Sequence, residues 1–89
     1  MTYVKICGIK SLNNAHAAIN AGADYLGFNF YEKSVRFMDK ETCVKIATVL
    51  KREHPAIKLV GVFVNSSVDE IKHVLDICSL DLAQLHGDE

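Results

Sequence analysis

No sign of charge dominates this sequence. It has 10 Lys and Arg against 11 Asp and Glu, a net charge of −1 with His neutral. With no basic excess and no Lys/Arg cluster, a nucleic-acid module is not expected. Long apolar runs are also lacking. The longest, Leu59 to Val64, is strand-sized, far short of the ~18 residues of a membrane span. The N-terminus has one early lysine and no extended apolar core, so no secretion signal is expected. The three cysteines, Cys7, Cys43 and Cys78, cannot all pair and form no C-x-x-C. Reduced thiols in a cytoplasmic protein are therefore expected, and a redox-thiol function is disfavoured. There is no G-x-G-x-x-G and no P-loop to hold a nucleotide. No group of His, Cys or Asp has zinc spacing, so no metal is expected.

What is present is an apolar content of 49% in 89 residues. That excludes a disordered tail and fits one domain, though one small enough to be marginal unless well packed. Residues 3 to 7 alternate and read as a strand. Ser11 then reads as an N-cap, with Leu12, Ala15, Ala18 and Ile19 at helical spacing and Gly22 as the stop. A second strand covers Tyr25 to Phe30, followed by a polar, basic loop from Tyr31 to Met38. Asp39 opens a second helix striped by Cys43, Ile46, Ala47 and Leu50, and Pro55 marks the break after it. Leu59 to Val64 is a third strand. Ser67 and Glu70 form a capping box for a third helix. Residues 81 to 86 make a fourth strand, and Gly87-Asp88-Glu89 reads as a turn into another helix. A weak echo links Gly22-Ala-Asp24 to Ser79-Leu-Asp81, each leading from helix into strand.

The order βαβαβαβ, with near-continuous apolar strands, implies a parallel sheet covered by helices. Residues two apart share a face of a strand. Val4 and Ile6, then Leu26, Phe28 and Phe30, then Val60, Val62 and Val64, then Ala83 and Leu85 read as the greasier faces, suited to helices. The opposite faces are smaller or more polar, which favours a barrel with a filled lumen over an open sheet buried on both sides. On this reading Phe63 and Leu82 face the lumen. A (β/α)8 barrel takes about 200–250 residues, so the fold class expected is α/β, a parallel TIM-type β/α barrel of which residues 1–89 form the N-terminal half, with no second domain.

Barrel enzymes keep their chemistry at the C-terminal ends of the strands. Cys7 ends strand one there, followed by Gly8. A thiolate at that position could act as base or nucleophile; the alternative is a small buried hydrophobe. Lys33 and Arg36 lie in the loop at the same rim. Arg36 could hold a carboxylate or phosphate through paired hydrogen bonds, or could be a solvated loop charge. Gln84 and His86 end strand four on the lumen face. They could contact a ligand or simply hydrogen-bond each other. Cys43 and Cys78 lie on apolar stripes and read as core. His16, His54 and His73 read as surface residues.

Val4-Lys-Ile-Cys-Gly-Ile9, Gly22-Ala-Asp-Tyr-Leu-Gly-Phe28, Ser34-Val-Arg-Phe37, Gly61-Val-Phe-Val-Asn65 and Gln84-Leu-His-Gly-Asp-Glu89 occur in order. Together they resemble the phosphoribosylanthranilate isomerases of tryptophan biosynthesis, over the whole chain. The loop after strand two departs from the family's usual Ser-Pro-Arg, reading Ser34-Val35-Arg36 here. The resemblance implies an Amadori rearrangement of N-(5-phosphoribosyl)anthranilate to 1-(2-carboxyphenylamino)-1-deoxyribulose 5-phosphate, without a cofactor. It implies that Cys7 is the general base, that Arg36 holds the anthranilate carboxylate, and that Gln84 and His86 line the pocket near the aromatic ring. It places the general acid on a fifth strand and the phosphate loops after strands seven and eight, none of which this chain supplies. The expected partner is that phosphorylated sugar–anthranilate substrate, with neither nucleic acid nor membrane. The 89-residue chain alone is expected to be inactive and to self-associate through bare strand edges. The competing expectation is a non-catalytic half barrel that pairs with itself or with a partner chain.

Overall fold

The computed structural model describes residues 2–86. The turn read at Gly87-Asp88-Glu89 lies outside the described residues. Among these, the elements are β1 (Lys5–Ile6), α1 (Leu12–Asn20), β2 (Tyr25–Asn29), α2 (Lys40–Glu53), β3 (Lys58–Val64), α3 (Val68–Ile77) and β4 (Leu82–His86). Each helix begins where a side chain accepts from a free first-turn amide. Ser11 Oγ takes the Asn14 amide, an Asp39 carboxylate oxygen that of Thr42, and Ser67 Oγ that of Glu70. Only this half of the expected Ser67–Glu70 box is formed among the described hydrogen bonds. The amide of Thr42 holds the Asp39 carboxyl below its usual value. Helix α2 stops at Glu53, capped by His54, because the residue before Pro55 is driven out of the helical region.

The strands are all parallel, in the order β1-β2-β3-β4. This order decides the architecture. Crossovers between parallel strands are right-handed, so a sheet that always grows in one direction collects its helices on one face. A doubly wound sheet reverses direction and is covered on both. Here the main core draws on all three helices and one face of the sheet, with Leu26, Phe28, Leu59 and Phe63 from the strands. Among the described residues the other face carries no helix, as in the lumen of a β/α barrel. The chain is thus a run of four strands of a parallel β/α barrel.

The register corrects one expectation from the sequence. Gly27 pairs with Val60, Asn29 with Val62, and Val62 in turn with Gln84. Paired residues in a parallel ladder share a face, so Val60, Val62 and Val64 point into the lumen and Phe63 points to the helices. Phe63 stacks on Phe30, with ring centroids 5.4 Å apart. The misreading has a physical cause: β3 is buried on both faces, so it has no polar alternation to betray its phase. Gly61 makes room on the helix side, since a Cβ there would lie 2.8 Å from the Phe63 ring and 3.0 Å from Leu80. Leu82 does face the lumen and is exposed.

Strand β1 is also shorter than the alternation suggests. Val4 is held outside the ladder. Its carbonyl accepts from the amides of Asp24 and Tyr25, and its own amide donates to the Asp24 carboxylate at 2.9 Å.

Candidate active site

The C-terminal ends of the strands gather at one rim. Cys7 follows β1 on the lumen face, beside Gly27 of β2. A Cβ on Gly27 would stand 2.8 Å from Cys7 Sγ and 3.2 Å from its Cα, so the thiol occupies the space that a side chain at position 27 would fill. Cys7 is exposed. Cys43 and Cys78 are free and buried, as their stripes suggest. Burial pushes the Cys43 thiol up, and Cys78 beside it adds to the effect; burial raises Cys78 likewise. Both are held protonated and out of reach of solutes.

Arg36 comes to the same corner through Gly8. Gly8 has φ +80°, and a Cβ there would lie 2.5 Å from Arg36 Cδ and 3.1 Å from a guanidinium nitrogen. Glycine is needed twice over: for the left-handed backbone, and so that the Arg36 side chain can lie against the turn that follows Cys7. The loop holding Arg36 is ordered from within. Asn29, the last residue of β2, accepts from the Tyr31 amide at 2.8 Å and donates to Ser34 Oγ at 3.3 Å. Ser34 Oγ in turn accepts from the Arg36 amide at 3.1 Å. The loop closes where Met38, buried in the core, donates its amide to the Asn29 carbonyl at 2.7 Å. Lys33 lies earlier in this loop and is exposed.

Gln84 and His86 sit on β4, facing the lumen, with Gln84 Nε2 and His86 Nε2 2.8 Å apart. Two strands separate them from Cys7, roughly 14 Å along the sheet at the usual strand spacing. The structure therefore makes two groups at the rim, Cys7 with Arg36 and Gln84 with His86, with Asn29 and Val62 between them. Below the rim, the lumen face carries an open groove of about 430 Å³ lined by Tyr3, Lys5, Tyr25, Val60, Leu82 and Gln84, among others.

The sequence reading passed over Asn29 and Ser34, which position Arg36. The available signal was local: a polar residue closing an apolar strand, five residues before a serine. It also passed over a three-residue group on the outer wall. The ligand-type atoms of His16, Glu53 and His54 lie within 4.8 Å of one another and could hold a metal ion. His16 and Glu53 are 37 positions apart, so no local spacing could reveal the group. Among the described residues no helix is long and apolar enough to cross a membrane.

A rim thiol beside a guanidinium and a polar pair across the lumen suits acid–base chemistry on an anionic small molecule. The family model described as N-(5′-phosphoribosyl)anthranilate (PRA) isomerase matches residues 4–89. A curated N-(5′-phosphoribosyl)anthranilate isomerase of Citrifermentans bemidjiense is 48% identical over 89 residues, covering 100% of this chain and 42% of that protein. Among solved structures, monomers generated from the dimeric phosphoribosylanthranilate isomerase of Thermotoga maritima superpose with a TM-score of 0.88 at 42% identity, over 100% of this chain and 43% of the other. A phosphoribosylanthranilate isomerase in complex with reduced 1-(o-carboxyphenylamino)-1-deoxyribulose 5-phosphate gives 0.91 at 40% identity, over 100% and 44%. The chain spans less than half the length of these relatives. On the match of nearly its whole length, it belongs to the N-(5′-phosphoribosyl)anthranilate isomerase family.

Proposed function

We propose that this chain forms the first half of the active-site rim of an isomerase that carries out the Amadori rearrangement of N-(5-phosphoribosyl)anthranilate. The observation that carries the reading is the corner where Gly27 seats the Cys7 thiol and Gly8 seats Arg36. In this reading the anthranilate nitrogen's lone pair opens the ribose ring to an iminium ion, while an acid protonates the departing ring oxygen. Cys7 is the base that removes the proton on C2. The electron pair of that C–H bond moves into a C1–C2 double bond and the iminium nitrogen becomes neutral. The enol then returns a proton to C1 and leaves the 2-ketone. Arg36 holds the anthranilate carboxylate through paired, charge-assisted hydrogen bonds, and Gln84 and His86 flank the aromatic ring. The general acid and the phosphate site are assigned to the part of the relatives' length that this chain does not span.

The ligand bound to the solved relative is a reduced form of the proposed product, and it supports a substrate that is both carboxylated and phosphorylated. The dimeric Thermotoga maritima relative supports self-association. A cytoplasmic location accords with three free thiols.

The test is a pair of substitutions in the full-length enzyme. Cys7→Ser is expected to lower kcat by about 10²–10⁴, the usual worth of a general base, with KM little changed. Arg36→Ala is expected to act mainly on KM, by roughly 10–100-fold, as loss of a charged hydrogen-bond partner implies. A Cys7→Ser enzyme that kept most of its kcat would remove the thiol from the reaction.

A further inference from the structure

The group on the outer wall takes no part in the proposed reaction. His16 lies on α1, Glu53 ends α2, and His54 caps α2. His16 Nε2 stands 3.6 Å from Glu53 Oε1, too far for a good hydrogen bond. The His16 and His54 rings meet edge to face, with centroids 5.8 Å apart. Although the His16 ring is partly exposed, its Nε2 atom is shut off from solvent and has no hydrogen-bond partner among the described residues. Buried polar atoms are normally paired, so this nitrogen, facing a carboxylate and a second imidazole, lacks something between them. A proton shared with Glu53 is one way to fill the gap; a metal ion fills it for all three groups.

The backbone at the end of α2 favours a cation. The site is the C-terminal end of α2, where unpaired carbonyls carry partial negative charge. The backbone of His54 is fixed there: its amide donates to the Leu50 carbonyl at 2.7 Å and its carbonyl accepts from Ile57 at 3.1 Å. The neighbouring Lys51 is turned to Asp81, 2.7 Å away.

We propose that His16, Glu53 and His54 bind one divalent transition-metal ion of the zinc type and so clip α1 to the end of α2. Two imidazoles and a carboxylate are a common donor set for zinc, leaving a fourth position for water. Bonds of about 2.0–2.1 Å in a tetrahedron put ligand atoms about 3.4 Å apart. From separations of no more than 4.8 Å, closure asks the side chains to converge by at most about 1.4 Å, within reach of rotations of an exposed Glu53 and two half-buried rings. Helix α2 returns the chain to the start of β3, so the site lies at the opposite end of the sheet from Cys7. Its role is to hold two helices together.

The test titrates the full-length protein with Co²⁺ and then Zn²⁺. One equivalent of Co²⁺ is expected to give visible d–d bands without a thiolate charge-transfer band, and Zn²⁺ to displace it and raise Tm. His16→Ala, and separately His54→Asn, should each weaken binding by at least about tenfold, since even outer partners of metal ligands are worth about 10–100-fold. Far-UV circular dichroism checks that each variant folds, and Glu53→Gln, at an exposed position, gives the same reading if one does not. Unchanged affinity in the variants, a thiolate band pointing to Cys7, or no one-to-one binding at micromolar metal overturns the proposal.

Discussion

Two corners of the sheet, Gly22-Ala23-Asp24 and Ser79-Leu80-Asp81, share one design and differ in its chemistry. Helix α1 ends with the Gly22 amide bonded to Ile19 and the Ala23 amide to Ala18; α3 ends with the Ser79 amide bonded to Asp76 and the Leu80 amide to Leu75. Both are Schellman motifs, which require positive φ at the first residue past the cap. Gly22 has φ +101° and Ser79 has φ +53°. An aspartate then clamps the preceding strand. Asp24 exchanges hydrogen bonds with Val4: its amide donates to the Val4 carbonyl at 2.7 Å and its carboxylate accepts from the Val4 amide at 2.9 Å. Asp81 does the same with Leu59, at 2.8 Å in both directions. Only Asp81 also binds a lysine, Lys51, among the described ion pairs. The second corner thus tolerates a strained residue where the first has a relaxed one, and it has the stronger clamp. Local strain at a turn can persist where the surrounding contacts over-determine it.

Removing the stronger clamp should have the largest effect. Asp81→Ala leaves the part-buried Leu59 amide and Lys51 without their partner, and is expected to cost about 2–3 kcal/mol in urea unfolding of the full-length protein. The same clamp predicts a pH dependence. Burial pushes the Asp81 carboxyl up, but the Leu59 amide and the Lys51 ammonium outweigh it and hold the group below its ordinary 3.8. The unfolded chain therefore takes up the proton first as pH falls. The stabilisation is complete above about pH 4 to 5 and fades as pH drops through the folded value. Asp81→Asn should flatten the acid limb of a Tm-against-pH curve, and an unchanged limb would assign acid sensitivity elsewhere.

Next comes Gly22→Ala. No atom lies within 4 Å of the added Cβ, so no clash adds to the backbone effect, in which left-handed strain outweighs the reduced freedom of the unfolded chain, and the change should cost about 1–2 kcal/mol. Asp24→Ala should cost less, about 1 kcal/mol, because the Val4 amide is exposed and can turn to water. If it matched Asp81→Ala, Lys51 and burial would not be what separates the corners. The smallest effect is expected at Ser79→Gly. It relieves the αL strain but frees the unfolded chain, and should stabilise by about 0.5 kcal/mol or less.

These corners show what could be read from the sequence. The Gly22–Asp24 and Ser79–Asp81 echo was visible as letters, yet its meaning needed the strand each aspartate reaches, about twenty residues upstream. Caps at Ser11, Asp39 and Ser67 were legible because they act over three residues. The phase of β3 was not, because Val60, Val62 and Phe63 are all buried while facing opposite sides. At the rim, Cys7 and Arg36 could be named from position and resemblance. That Arg36 packs on Gly8 and Cys7 on Gly27, and that Asn29 and Ser34 hold the Arg36 loop, depends on contacts between segments that no periodicity records.

Gly27 leaves a further consequence for how such a rim can change over generations. Because the sulfur of Cys7 sits where a side chain at 27 would be, a substitution at either position bears on the other. A bulkier residue at 7 fits only while 27 stays without a side chain, and a methyl group gained at 27 displaces the thiol one strand away.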